Sequence, residues 1–429
     1  MSATSTQDMV RPGECVDLYY YDADTSKKQC FPTTQNTKYV QNFANLTGGS
    51  SVFTIPPANG IQDVVCSFQF ATLSGSNQAN IALPRGWGYS LIKQVSYRYG
   101  GSSQYFLTGD QILQLALKAQ PSRTSANDIL SLGGNYLNGA AQLIAPTMVA
   151  NIVLPLPHSL PTAFGKRHPL PTDALTQQVQ ITVELNAPSS VFILASGALP
   201  AEANALSVAQ FQVQQVMLNN QGDALARRVD MATNAYAFPT EFCQQKQTIQ
   251  LGTVSETNNV TVPQSVVLTG FRSGEVKSIQ VWLTKGSDTS SATTLSPTKW
   301  YLPDSVEMSY AGDIYARYYN GTSQLFNLVN NNKASAVETV LINVGAGGIS
   351  APGAWLSQWV ELPFAQTFVD EDAHHMLVHG KPITNGIVNL SVAVPAAYAA
   401  NGDTDWVLNV SYIYNTTLLF SQGTCDYVF

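Results

Sequence analysis

An internal repeat constrains the fold of this chain more than any other feature of its sequence. Three short segments recur in the same order in the second half, at offsets of 211, 208 and 209 residues. The matched pairs are 95–101 with 306–312, 152–156 with 360–364, and 179–183 with 388–392. Strands draw on a small set of residue types, so one match could arise by chance. Three matches in order at nearly one offset indicate a duplicated domain.

Strand patterns dominate both copies of the repeat. Short runs of β-branched and aromatic residues, many of them alternating with polar ones, are bounded by Gly, Pro, Asn and Ser, which is typical of β-strands. Such runs lie at 64–70, 95–99, 150–154, 179–185 and 211–217, and again at 278–283, 339–344, 386–394 and 406–414. Strands at this spacing predict an all-β fold of two tandem eight-stranded jelly rolls, with short helices in the loops.

Three helical segments are predicted in the longer loops. The clearest is 110–118, where Asp110 can cap the N-terminus. Its apolar residues share one face, as in an amphipathic helix: Ile112, Leu113, Ala116 and Leu117. A second helix is predicted at 223–232 and a third near 353–360.

The repeat divides the 429 residues into four parts. The predicted parts are an N-terminal arm (1–38), a first jelly roll (39–221), a connector (222–236) and a second jelly roll (237–429). The arm is polar and rich in turn-forming residues, so it cannot bury enough surface alone and is expected to be ordered only by neighbours. Long loops fall at matching places in both rolls, and such loops usually carry a fold's function, which here is expected to be contact between subunits.

The chain is poor in charge. Asp, Glu, Lys and Arg make up 11% of its residues, against about a quarter in typical soluble domains. Its polar residues are mainly Asn, Gln, Ser and Thr, which suit broad contacts between proteins because charges are costly to desolvate. The net charge is −7 and no basic block exceeds Arg227–Arg228. A basic groove for nucleic acid is therefore excluded, and no sequence-specific nucleic-acid partner is expected.

The cysteines and the N-terminal residues indicate the kind of cellular compartment in which the chain folds. The five cysteines, at 15, 30, 66, 243 and 425, are odd in number, widely spaced and without a CxxC pair. Reduced thiols are expected, rather than a zinc site or a disulfide framework. Residues 1–12 are polar and lack the apolar core of a secretory signal. No run of eighteen apolar residues occurs, so no membrane-spanning helix is predicted.

The sequence offers little to support catalysis or ligand binding. His374, His375 and His379 lie beside three carboxylates in 370–379, which are metal-ligand types. There is no HExxH, and Gly380 and Pro382 would end a helix at once, so we interpret this segment as a polar loop. The Gly-rich turn after the strand in 338–350 lacks the third glycine and the βαβ setting of a dinucleotide site. No catalytic, cofactor-binding or metal residue is therefore named, no cofactor is expected, and the chain is predicted not to be an enzyme.

Two segments carry a resemblance to a known family. Residues 95–118 (VSYRYGGSSQYFLTGDQILQLALK) resemble the strand, Gly turn and helix that follow the fourth strand of the first roll in double jelly-roll major capsid proteins. Residues 310–330 (YAGDIYARYYNGTSQLFNLVN) resemble the counterpart in the second roll. Proteins of this family build icosahedral double-stranded DNA viruses, namely tailless phages, adenoviruses, virophages, polinton-like viruses and large nucleocytoplasmic viruses.

The resemblance implies a structural role in a virion. Its members form homotrimers, pseudo-hexagonal blocks that tile an icosahedral shell assembled inside the host cell. Implied partners are the chain itself, neighbouring trimers, and minor capsid and penton proteins, while an internal membrane beneath the shell is left open. Two alternatives stay open at this point. A tandem jelly-roll lectin or spike would cluster aromatic residues and carboxylates in loops at one end of a roll, and a polysaccharide hydrolase would need a carboxylate pair in a cleft.

Overall fold

The structure is a computed structural model. It describes residues 34–73, 81–83, 86–100, 104–118, 128–129, 131–134, 137–138, 149–156, 169–173, 175–194, 198–218, 225, 228–230, 233–257, 260–286, 300–319, 337–341, 344–345, 348–349, 353–357, 359–364, 380–383, 386–396 and 398–429. The predicted loop with His374, His375 and His379 lies outside these residues.

The first roll consists of two four-stranded antiparallel sheets. Its strands are β1 (Thr34–Asn42), β2 (Gly49–Thr54), β3 (Gly60–Phe70), β4 (Ile92–Arg98), β5 (Tyr105–Thr108), β6 (Val149–Leu154), β7 (Gln180–Leu185) and β8 (Leu206–Leu218). One sheet has the order β1-β8-β3-β6 and the other β2-β7-β4-β5. Strands distant in sequence thus lie side by side in both sheets, which is the jelly-roll arrangement.

The second roll repeats this strand order. Its strands are β9 (Tyr236–Cys243), β10 (Gln264–Leu268), β11 (Glu275–Lys285), β12 (Ser305–Tyr310), β13 (Asp313–Tyr319), β14 (Val360–Pro363), β15 (Val388–Ala393), β16 (Trp406–Ser421) and a terminal β17 (Thr424–Val428). The sheets run β9-β16-β11-β14 and β10-β15-β12-β13, and β17 pairs with the end of β16. The predicted all-β fold of two tandem jelly rolls is confirmed.

The register of the strands also repeats. Val95 on β4 lies opposite Val183 on β7, and Val306 on β12 lies opposite Val392 on β15. On the other sheets, Leu154 pairs with β3 and Leu362 with β11 at corresponding positions. The three sequence matches therefore fall on equivalent strands, at equivalent places in each roll.

Alternating burial along the strands explains why these residues form sheets. In β6 and β7 every second residue is buried, so each strand presents one apolar face to the core between the two sheets. Phe53 and Phe211, one from each sheet of the first roll, stack with ring centroids 4.1 Å apart. Each such fully buried side chain contributes about 1.5–3 kcal/mol.

Short elements fill the connections. The helices are α1 (Trp87–Leu91) and α2 (Gly109–Lys118), with 3-10 turns at Pro188–Val191 and Ala201–Asn204. Short strands lie at Ile81–Leu83, Leu137–Asn138, Ile193–Leu194, Gln247–Gln250, Glu256–Thr257, Val260–Thr261, Val337–Leu341, Val344–Gly345, Gly348–Ile349, Gly353–Ser357 and Lys381–Pro382. Among the described helices, none is long and apolar enough to cross a membrane.

Two sequence expectations differ from the structure. The helix predicted near 353–360 is wrong, because Gly353–Ser357 is a strand paired with Val337–Leu341. Cross-strand pairing outweighs helical propensity in so short a segment. The first strand starts at Thr34, opposite Leu218, so the last five residues of the predicted arm belong to a sheet. The division into arm, rolls and connector otherwise stays a prediction. In the connector, Arg228–Asp230 are helical, as expected.

Candidate functional site: the seam between the rolls

The two rolls meet along a buried seam built mainly by the long strand β16. The first half of β16 belongs to the sheet of the second roll, where it pairs with β11 and Gln247–Gln250. Its second half pairs instead with β9 and with the terminal strand β17. This end of the second roll's sheet lies against the first roll, where Phe242 on β9 contacts Tyr105.

Helix α2 of the first roll lies in this seam. The described side chains of its middle turns are buried, including those of the polar residues Gln111 and Gln114. The Gln111 Oε1 accepts a hydrogen bond from the Thr108 backbone N–H at 3.0 Å, as the N3 residue of a capping box does. Its Nε2 donates across the seam to the Gln244 carbonyl at 2.7 Å and to the Ser411 hydroxyl at 2.8 Å. One amide group therefore both caps the helix and joins the two rolls.

An ion pair lies beside this amide. Asp110 was predicted to cap α2, but its carboxylate lies 2.7 Å from the Lys246 Nζ of the second roll. Both side chains are about one-fifth exposed, so solvent screens the pair and its contribution is at most about 1 kcal/mol. The ion pair mainly orients the two rolls, while the buried hydrogen bonds of Gln111 hold them together.

An aromatic cluster forms the apolar part of the seam. Phe242 on β9 lies at its centre, with ring centroids 5.0 Å from Tyr105, 4.9 Å from Tyr427 and 5.1 Å from Phe429. Tyr105 belongs to the first roll, whereas Tyr427 and Phe429 belong to the terminal segment. The Arg272 guanidinium lies 4.8 Å from the Phe242 centroid, within the range of a cation–π contact. Edge-to-face ring pairs of this kind stabilise the fold beyond the contribution from burying the rings.

The turn before β17 fits against the first roll. The Thr176 backbone N–H and hydroxyl donate to the Gly423 carbonyl at 2.9 and 3.1 Å. Gly423 has a φ of 79°, a conformation that favours glycine. A Cβ at this position would lie 2.3 Å from the Thr176 Cγ2. Both the backbone conformation and the close approach of the first roll therefore require glycine here.

The interior beside the cluster is rich in tyrosine hydroxyls. Burial is the main cause that raises the pKa values of Tyr97, Tyr99, Tyr105 and Tyr427 well above their usual range. Burial likewise raises the pKa of the Cys425 thiol. Within the described part of the chain, the hydroxyls of Tyr97 and Tyr427 have no hydrogen-bond partner. These tyrosine hydroxyls and the Cys425 thiol are therefore uncharged at neutral pH, and ionising them inside the fold is unfavourable.

This burial predicts alkaline unfolding. Unfolded tyrosines ionise at about pH 10, whereas the seam tyrosines hold their protons to higher pH. Above about pH 10 the unfolded state binds fewer protons, so the free energy of unfolding falls as pH rises. The double variant Tyr97→Phe, Tyr427→Phe should keep its stability at pH 8 and lose less of it by pH 11, measured by urea unfolding followed by circular dichroism.

The control for this experiment is Tyr39→Phe. The Tyr39 hydroxyl donates to Gln41 at the protein surface, so this variant should lose stability above pH 10 as steeply as the parent. Equal slopes for the parent and the double variant would contradict the prediction.

The outer face of the second roll's sheet is also buried. Gln280 on β11 and Ser411 on β16 lie opposite each other, and each is 1% exposed. Next to them, Ser278 donates to the Glu361 carboxylate at 2.6 Å, and Asn409 donates to the Thr284 hydroxyl at 3.0 Å. Because the Gln111 amide reaches Ser411, α2 of the first roll contacts this face at that position.

None of the seam residues was predicted as functional from the sequence. The thiols of Cys66, Cys243 and Cys425 are buried, while Cys15 and Cys30 lie outside the described residues. One sequence signal could have pointed to the seam. Helix α2 has no charged residue between Asp110 and Lys118, and two glutamines interrupt its apolar residues. A helix without a charged face is usually buried on all sides.

Comparison with known proteins gives a fold and no close relative. No family model and no curated protein matches the sequence. Among solved structures, a chain of the PBCV-1 virus capsid is similar over 93% of this chain and 98% of its own, with a TM-score of 0.62 and 14% identity. A Sputnik virophage chain has a TM-score of 0.54 at 11% identity, covering 97% of this chain and 94% of its own.

A third similar structure is the mavirus major capsid protein. It has a TM-score of 0.52 at 11% identity, and the match covers 98% of this chain and 97% of that one. The likeness in all three spans both rolls and the seam between them. This chain therefore has the double jelly-roll fold of the major capsid proteins of double-stranded DNA viruses.

Proposed function

We propose that this chain is a major capsid protein that assembles as homotrimers and tiles the icosahedral shell of a double-stranded DNA virus. The observation that carries the proposal is the equivalence of the two rolls, which share strand order and register. A subunit with two like walls, repeated three times in a ring, presents six similar sides to its neighbours. Such a block can pack in a hexagonal lattice.

The buried seam supports this role. A shell subunit must hold its two rolls at one angle, since an error in the angle would spread through the lattice. Gln111, itself fully buried, bonds to Ser411 and to the Gln244 carbonyl, and the aromatic cluster packs around Phe242. Buried contacts of both kinds oppose hinge motion between the rolls, because opening the seam would leave polar groups unsatisfied and expose apolar rings.

The chain's surface also favours wide contacts between subunits. The first roll's β2 and the second roll's β10 are both edge strands. They expose Val52 and Val267, respectively. With few charges to desolvate, such surfaces suit large interfaces of hydrogen-bonding and apolar groups.

The glycan-binding and hydrolase alternatives gain no support from the described residues. A lectin or spike would place aromatic side chains in exposed loops. The tryptophans whose burial is described are instead all in the interior: Trp87, Trp282, Trp300, Trp359 and Trp406. We assign the chain to the virion capsid, with itself, minor capsid and penton proteins as partners.

Native mass spectrometry and negative-stain microscopy test the proposal. The purified protein should give a stable mass of three chains, each of 46.2 kDa, at low concentration in mild salt. Shells or sheets of hexagonal blocks should form as the concentration rises. A monomer that persists at micromolar concentration and forms no shells would contradict the proposal, and glycan affinity or polysaccharide turnover by that monomer would favour one of the alternatives.

A further inference from the structure

Two buried glutamine amides near the seam have no hydrogen-bonding partner in the protein. We propose that Gln114 on α2 and Gln280 on β11 together bind one internal water molecule, which joins the first roll to the second inside a single chain. The proposal goes beyond the proposed function, because it concerns how one subunit holds its two rolls and does not depend on trimer formation.

The burial of these two side chains is the first observation. Gln114 is 0% exposed and Gln280 is 1% exposed. Within the described part of the chain, neither the amide nitrogen nor the amide oxygen of either residue has a hydrogen-bonding partner. Leaving such a group unsatisfied in the interior costs more free energy than a typical hydrogen bond contributes. In native proteins, buried side-chain amides are usually bonded to protein groups or to ordered water.

The course of α2 brings the first amide toward the second. At the start of the helix, Asp110 contacts Lys246, which follows β9, and the next residue, Gln111, reaches Ser411 on β16. Gln114 lies about one turn further on, on the same face of the helix as Gln111. In the sheet, β11 follows β16 on the side away from β9. The direction of the helix therefore carries Gln114 toward β11.

The second amide lies at the matching place on the sheet. Gln280 is directly opposite Ser411, and side chains opposite each other on paired strands share a face. Two residues before Gln280 on the same face is Ser278, whose hydroxyl donates to the Glu361 carboxylate. Because both serine side chains are short, they leave space beside the longer amides for a molecule the size of water.

The hydrogen-bonding groups at this place suit water. A buried water molecule makes about three hydrogen bonds, and it can both donate and accept, as the two amides require. The Ser411 hydroxyl accepts from the Gln111 amide at 2.8 Å, so its own proton is available for the third bond. The water would extend the chain of bonds that begins at the Thr108 N–H and runs through Gln111 to Ser411.

An experimental structure of the full chain, at a resolution that shows ordered water, tests the site directly. We expect a water peak about 2.7–3.2 Å from an amide atom of Gln114 and from an amide atom of Gln280. Amides bonded directly to each other would overturn the proposal. The same holds for a water that contacts only one of them, or for no water at all.

A double-mutant cycle gives an independent measurement. Gln114→Met and Gln280→Met keep an unbranched side chain of similar length, but each removes one partner of the water and leaves the other amide poorly satisfied. Each should lower the folding equilibrium constant by about 10-fold or more in urea unfolding. The double variant should lose clearly less than the product of the two effects, because no amide then needs the water.

The matched control is Gln178→Met, since Gln178 is exposed on the first roll. It should leave the folding equilibrium constant near that of the parent and should multiply independently with Gln280→Met. Independent effects of Gln114→Met and Gln280→Met would overturn the proposal. None of these results bears on the capsid role, which the mass of the native assembly tests separately.

Discussion

Phe242→Ala is expected to lower the free energy of unfolding by about 3–5 kcal/mol, as replacing a buried phenylalanine usually does. Phe242 is almost fully buried and touches Tyr105, Tyr427 and Phe429. Its loss would open a cavity between the first roll, β9 and the terminal strand. We therefore expect the terminal hairpin to detach before the rolls unfold, giving faster hydrogen exchange in Thr424–Val428.

The control for Phe242→Ala is Phe53→Ala. Phe53 is equally buried but lies in the core of the first roll, stacked on Phe211. This variant should lose a similar amount of stability in urea unfolding without a selective rise of hydrogen exchange in β17. If both variants expose the terminal strand alike, Phe242 has no special role in the seam.

Gln111→Glu is expected to cost about 3–5 kcal/mol at neutral pH, because it leaves an uncompensated charge in a buried setting. The carboxylate could still accept from the Thr108 N–H, but it has no proton to donate to the Gln244 carbonyl or to Ser411. Burial should raise the pKa of the introduced group in the folded state. The destabilisation should therefore grow as pH rises above the unfolded pKa of about 4.3 and shrink near pH 4.

Urea unfolding at pH 4 and pH 7 measures this effect relative to the parent. Gln69→Glu is the matched control, since Gln69 is half-buried on the outer face of β3, and its cost should stay within about 0.5 kcal/mol. A Gln111→Glu variant with the same cost at both pH values would show that the seam hydrates the charge, and that the Gln111 amide does not carry the contact between the rolls.

The two sets of contacts hold different parts of the chain. Loss of the Phe242 cluster frees the end of the chain, whereas loss of the Gln111 bonds weakens the link between α2 and the second roll. Only loss of the Gln111 bonds removes the contact between α2 and Ser411 on the outer face of the second roll's sheet.

Much of the fold could be predicted from the sequence because a half-buried strand requires a local alternation of apolar and polar residues. Alternating burial in β6, β7 and β15 appears as alternating apolar residues, and the duplication appears as three matches at nearly one offset. The helix at 110–118 was predicted from its cap and apolar face, within one residue of α2. The strand at Gly353–Ser357 was missed, because its partner segment, and not its own residues, determines its conformation.

The sequence by itself determined that the chain forms two like rolls with low charge. Strand periodicity is a local pattern, and the small number of charged residues is read directly from the composition. Only the tertiary structure decided that Gln111 bonds to Ser411, 300 residues away, and that Tyr427 packs against Tyr105. An amide in an apolar helix indicates burial but not the partner. That partner depends on how two complete rolls dock, a matter of shape and long-range packing that no local pattern of residues records.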